Sequence, residues 1–239
     1  MRTRRGKYSR IRRNFAAKVK KVIMKTAETK YYDIGLENAQ LYHNLGYGDL
    51  LPPTTITSVP ELFDPWSKIL KGTNRMNRIG DRITPRGMSL KFWIANKFTR
   101  PNTMVRLIVA ILPKVVDDIV TNYDNFNPFQ ITNEGLTNNH LLLPADKDRG
   151  VKFLYDRIFR INTTNSANVI GDSQKEPSRI VKLWIRRKRS RDIVYSTGTQ
   201  QIVNKPLAVF LLPYEQYSTL QTSNTTSFSC AMRMYYKDV

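Results

Sequence analysis

The sequence predicts an all-β chain, two packed antiparallel sheets in a sandwich or jelly roll, on three observations. Several short segments alternate apolar and polar residues with a period of two, the mark of half-buried strands. Turn chemistry punctuates these segments at intervals that suit strands better than helices. Long polar or Pro/Asn-rich stretches at 114–150, 162–177 and 214–226 separate them. These exceed hairpin lengths, and long loops on a β scaffold usually carry surface function. With 239 residues, 41% of them hydrophobic, the chain can bury a sizeable core. It shows no internal repeat and no second domain. Sandwiches and jelly rolls both fit, since each settles the edge-strand problem by packing two sheets.

Taken in order, residues 31–80 read as extended chain with a first strand and a short helix, around Gly46, Gly48, Pro52-Pro53 and Trp66. Met88, Leu90, Phe92 and Ile94 then alternate with Ser89, Lys91, Trp93 and Ala95, which predicts a half-buried strand. After a turn at Arg100-Pro101-Asn102, Val105, Leu107, Val109 and Ile111 share one face while Ile108, Ala110 and Leu112 make the other apolar too. Such a strand is covered on both sides or lies in a sandwich centre. Further strands are expected in 151–161, 178–189, 205–213 and from Phe228 to the end. In the last, Phe228, Cys230, Met232, Met234 and Tyr236 share a face, which makes Cys230 a small core hydrophobe.

Charge is segregated. Of 39 Lys/Arg and 19 Asp/Glu, twelve and one fall in residues 1–30, leaving 27 and 18 for the rest. Residues 1–30 therefore read as a separate arm, and 31–239 as the folded domain. The arm's basic residues include Arg2, Arg4, Arg5, Lys7, Arg10, Arg12, Arg13, Lys18, Lys20 and Lys21. Such a block repels itself, lacks core residues and is expected to stay flexible until it meets a polyanion. Neutralising six to ten phosphates makes affinity fall roughly 10³–10⁵ between 50 and 200 mM salt. Arg dominates before Asn14, and its forked guanidinium suits phosphate oxygens. Three other readings stay open. The block suits a nuclear-import signal. Phe15, Val19, Val22 and Ile23, spaced at i, i+4, i+7 and i+8, also suit a basic amphipathic helix on a membrane surface. The same stripe, capped by Asn14, could instead pack the helix onto the following domain.

A second basic cluster, Arg186, Arg187, Lys188, Arg189 and Arg191, follows the strand at 180–185, with Lys182 upstream. Edge strands are often guarded by charge, but six basic residues in ten positions exceed that need. Nucleic-acid contact or pairing between subunits is the reading preferred here. Trp184 and Tyr195 flank the cluster and are candidates for stacking on bases, although a lone aromatic in a strand more often belongs to the core.

Catalytic patterns are missing from the sequence. Gly46-x-Gly48 lacks a third glycine and a following helix, and no nucleophile elbow or HExxH is present. Asp117 and Asp118 are adjacent, so on extended chain they point apart. One cysteine and two distant histidines, His43 and His140, give neither a disulfide nor zinc-ligand spacing. The expectation is a non-enzyme with no cofactor and no metal, in a reducing compartment. The N-terminus is charged with no apolar h-region, so no signal peptide is legible. No apolar run is longer than the six residues of Leu107 to Leu112, too short to span a bilayer.

The stretch GDRITPRGMSLKFWIANK, at 80–97, resembles the first jelly-roll strand of capsid proteins from circoviruses and related circular single-stranded DNA viruses. LYDRIFRI at 154–161, PLAVFLLP at 206–213 and the terminal YYKD at 235–238 look like later strands of that fold, in the expected order. The resemblance covers roughly 80–239 plus the arm. It implies an eight-stranded viral jelly roll and a T=1 icosahedral shell of about sixty copies. The arm would face inward onto a circular single-stranded DNA genome, with Arg186, Arg187, Lys188 and Arg189 adding to the inner wall. Sixty arms of about +11 would neutralise roughly 660 phosphates. The resemblance further implies residence in the virion and in the host nucleus during assembly. Host import receptors and a cell-surface attachment receptor would be additional partners. Two rivals remain: the coat of a small RNA virus with the same fold, since fold does not fix cargo, and a non-assembling nuclear β protein that binds nucleic acid through a basic tail.

Overall fold

The computed structural model describes residues 15, 18–19, 22–23, 25–43, 65–97, 100, 103–111, 151–161, 177–186, 192–197, 202, 207–215 and 223–238. Its strands are β1 (Thr29–Tyr42), β2 (Arg82–Asn96), β3 (Met104–Ile111), β4 (Lys152–Arg160), β5 (Ser178–Arg186), β6 (Ile193–Val194), β7 (Leu207–Tyr214) and β8 (Asn224–Asp238). They form two antiparallel sheets. The larger has the order β1-β8-β2-β5, with β6 added beside β2, and the smaller runs β4-β3-β7.

Period-two patterning decides which face of each strand is inside. On β2, Met88, Leu90, Phe92 and Ile94 are all buried, while Trp93 on the opposite face is exposed. On β8, Phe228, Cys230, Met232, Met234 and Tyr236 turn the same way into the core. Met88↔Met234, Leu90↔Met232, Phe92↔Cys230 and Ile94↔Phe228 are direct cross-strand partners, so the inner faces of β2 and β8 form one apolar surface. Phe92 and Phe228 meet with ring centroids 6.2 Å apart and tilted by 54°. Such a tilted pair adds about 0.5–1.5 kcal/mol beyond its area. β3 is the central strand of the smaller sheet and is buried on both faces from Val105 onward, as its two-sided apolar pattern requires.

Strand β1, in the region expected to hold a first strand, stands ahead of the 80–97 stretch likened to the opening strand of a jelly roll, so that stretch supplies the second of the described strands. The N-terminal strand pairs with the C-terminal one, from Thr29↔Lys237 to Tyr42↔Asn224. A bulge between Leu36 and Ala39 shifts its register. Asn38 takes φ 53° there, a left-handed conformation that Asn tolerates better than most residues.

The ends of the sheets are fastened by polar contacts. The Asp238 carboxylate accepts from Lys30 Nζ at 3.0 Å and from the Ile79 N–H at 2.6 Å, joining β1, β8 and the approach to β2. Arg78 is buried, stacks 3.8 Å from the Tyr195 ring centroid and donates to the Gly80 carbonyl and to Asp81. Lys71 Nζ donates to the same carboxylate at 3.0 Å, and the hydrogen bonds from Lys71 and Arg78 hold the Asp81 carboxyl below its ordinary range. In the smaller sheet Arg106 grips Asp156 with two nitrogens at 2.8 and 2.7 Å.

His43 ties β1 to the other sheet. Its Nδ1 accepts the Glu215 N–H at 3.0 Å, and its ring lies 4.6 Å from that of Tyr214 at the end of β7. Burial lowers its pKa; the Glu215 carboxylate opposes this, and Arg100 adds to the lowering. Protonating Nδ1 would remove the acceptor. The folded state therefore takes up this proton less readily than the unfolded chain. Its contribution to stability is complete above about pH 6.5 and is lost as pH falls through the depressed folded value. Thermal unfolding followed from about pH 7.5 down to about pH 5 should show a declining midpoint that weakens in His43→Gln.

Candidate nucleic-acid interface

Most residues singled out for phosphate contact, namely Arg2, Arg4, Arg5, Lys7, Arg10, Arg12, Arg13, Lys20, Lys21, Arg187, Lys188 and Arg189, lie outside the described residues. So do Arg191, Asp117, Asp118 and His140. Lys18 is described and sits exposed on a helical stretch that reaches Thr26. The Ala27 N–H donates to the Ile23 carbonyl at 2.8 Å, and the Ala27 carbonyl accepts from Lys237 Nζ on β8. A cation at a helix C-terminus is favourable, and this one links the end of the helix to the sheet where β1 begins. The stripe of Phe15, Val19, Val22 and Ile23 is exposed, from 40% at Val19 to 69% at Phe15. Of the readings the sequence left open for this stripe, packing onto its own domain does not hold: Phe15, Val19, Val22 and Ile23 point to solvent.

Arg186 is the last residue of β5 and is exposed. It belongs to a larger arrangement that sequence alone did not assemble. β5 pairs with β2 so that Trp93↔Ile180, Lys91↔Lys182, Ser89↔Trp184 and Gly87↔Arg186 lie opposite one another. Because inner and outer residues alternate, these pairs all stand on the outer face of the larger sheet. On its other side β2 pairs with β8, bringing Ala231 opposite Lys91, Arg233 opposite Ser89 and Tyr235 opposite Gly87. Gly35, Asp33 and Tyr31 of β1 extend those rows.

Small residues at the centre of this face leave a hollow of about 390 Å³, lined among others by Gly35, Ser89, Ala231, Lys91 and Arg233. Arg233 is committed: its guanidinium meets Asp33 at 2.6 and 2.7 Å and lies 4.7 Å from the Tyr31 ring centroid. Hydrogen bonding to Asp33 raises its pKa further. Among the described residues neither Lys91 nor Lys182 has a carboxylate within ion-pair distance. Two cations stand directly opposite one another there, an arrangement that costs stability unless an anion joins them. The alternation of β2 had put Lys91 and Trp93 on its outer face; only the register shows that Lys182, Trp184 and Arg233 stand beside them.

The two flanking aromatics part company. Trp184 is 56% exposed, lies 5.4 Å from the Tyr235 ring and stands over Gly87, where an added Cβ would come within 2.6 Å of its Cζ2. Tyr195 is buried, donates its hydroxyl to the Trp66 carbonyl at 2.8 Å and is covered by Arg78. Stacking on bases by Tyr195 is excluded, because both its ring and its hydroxyl are used inside the fold.

Cys230 is buried and burial pushes its thiol up to about 12, so it stays protonated and unreactive at neutral pH. Among the described residues no helix is long and apolar enough to cross a membrane. Neither a protein-family model nor a curated protein matches the chain.

Proposed function

We propose that this chain is a structural coat protein: a viral jelly roll, of the kind found in circular single-stranded DNA viruses, that assembles into a small icosahedral shell and packages its genome through the basic arm. The observation that carries the reading is the strand order. Folding an eight-stranded antiparallel ribbon pairs the first strand with the eighth, the third with the sixth and the fourth with the fifth; the pairs β1·β8, β2·β5 and β3·β4 correspond to these. Rolling that ribbon up then sets the eighth strand against the third and the seventh against the fourth, as in β8·β2 and β3·β7. All five long-strand pairings fit. In this reading β2 is the third strand of the ribbon, its second strand has no counterpart among the described residues, and β6 is an addition at the sheet edge.

The segregated charge supplies the second support. A sandwich that is only mildly basic, joined to an arm of about +11, suits a wall with a cargo-binding extension. The role is non-catalytic, and its site of action is the virion and, before that, the host nucleus. Nucleic acid extracted from nuclease-treated particles tests the cargo. Protected material that DNase degrades and RNase leaves intact is the expected result. RNase-sensitive material would shift the reading to an RNA virus coat.

A further inference from the structure

We propose that the outer face of the larger sheet between Trp93 and Trp184 is a platform for unpaired nucleotides, and that it selects single-stranded over double-stranded nucleic acid. The ligand class rests on the function proposed above; the geometry does not depend on assembly.

Trp66, one of the chain's three tryptophans, is 1% exposed and serves the core, whereas Trp93 and Trp184 are 57% and 56% exposed on one sheet face. In the register Trp184 stands opposite Ser89, four residues along β2 from Trp93. That places the two indoles about 13 Å apart along the strand direction, a span of roughly four nucleotide steps at about 3.4 Å each. Lys91 and Lys182 lie between them, opposite one another. On β5 the outward residues run Ile180, Lys182, Trp184, Arg186, apolar and cationic side chains in alternation. Rings to stack on bases, interleaved with cations to hold phosphates, are what a single strand needs from a surface.

A duplex cannot use the rings, because its bases are already stacked and paired. A second copy docking by the same face is also disfavoured, since it would bring Lys91, Lys182 and Arg186 against their own kind, and Asp33, an acid of that face, is already held by Arg233. The arm, by contrast, reads phosphate charge alone and cannot tell one strand from two. The sheet face therefore supplies strand selectivity that the arm lacks.

The test uses the full-length protein in its unassembled form with an oligothymidylate and a duplex of mixed sequence, at low and raised salt. Tryptophan emission should be quenched by the single strand and not by the duplex, because Trp66 is shielded. Trp93→Leu and Trp184→Leu should each weaken single-strand binding about tenfold, with duplex binding unchanged and circular dichroism retained. Lys91→Gln with Lys182→Gln should lower the salt slope of single-strand binding by about one. Equal quenching by both ligands, or single-strand affinity unaltered when both rings are removed, would overturn the inference. Variants that lose assembly while keeping single-strand affinity would also overturn it, and would assign the face to contacts between copies. Particles missing from the unaltered protein would count against the coat reading and leave this assay unaffected.

Discussion

Replacing Arg2, Arg4, Arg5, Arg10, Arg12 and Arg13 with Gln should lower the salt slope of single-strand binding by about four. Each phosphate neutralised on a single strand contributes about 0.7 to that slope, and six charges are removed. Binding at low salt should fall by orders of magnitude, and particles formed by the variant should carry far less nucleic acid. The thermal midpoint of the sandwich should stay in place, because among the described residues nothing before Tyr32 belongs to the core or packs against it. Titration by fluorescence anisotropy across a salt series gives the slope, and calorimetry gives the midpoint. A slope unchanged by six substitutions would mean that the arm is not the phosphate-binding element. A lowered midpoint would mean that it is part of the fold.

Phe92→Ala and Trp93→Ala, at adjacent positions of β2, should differ by several kcal/mol. Phe92 is fully buried between the sheets and packs on Phe228. Its truncation leaves a cavity and should cost about 3–5 kcal/mol, a large part of the roughly 5–15 kcal/mol that stabilises a typical domain. Trp93 projects outward, and its loss should change stability by no more than about 0.5 kcal/mol. Denaturant unfolding monitored by circular dichroism measures both. Comparable losses would mean that the outer face of the larger sheet is covered in the folded protein, which would contradict both the exposed Trp93 and the platform built on it.

Much of the fold was legible because burial in a sandwich imposes a period of two. Met88 to Ile94 and Phe228 to Tyr236 advertised their inner faces, and the two-sided apolar run after Val105 marked a central strand. β1 was harder to read for a physical reason. Tyr32, Ile34 and Leu36 pack inward at even positions, but the bulge at Glu37–Asn38 resets the alternation so that Ala39 and Leu41 continue it at odd ones. A one-residue insertion of this kind erases the periodic signal while leaving the strand intact.

The candidate site was legible only in part. The runs of Arg and Lys can be seen in one dimension, and they led to Arg186 and Lys182. Placing Lys91, Trp93 and Arg233 beside them requires the pairing of β2 with β5 and β8, which joins positions more than eighty residues apart. Tyr195 takes the core role that a lone aromatic in a strand more often has: its neighbourhood in sequence is basic and polar, but its hydroxyl and ring are spent on Trp66 and Arg78.

The proposed coat role requires that this chain build a closed shell around nucleic acid. Negative-stain electron microscopy of the full-length protein, together with the ratio of nucleic-acid to protein absorbance in the purified fraction, tests it most directly. Uniform, closed, spherical particles whose absorbance shows packaged nucleic acid are the expected result. A protein that remains monomeric or in small complexes with nucleic acid across a range of salt and pH would contradict it.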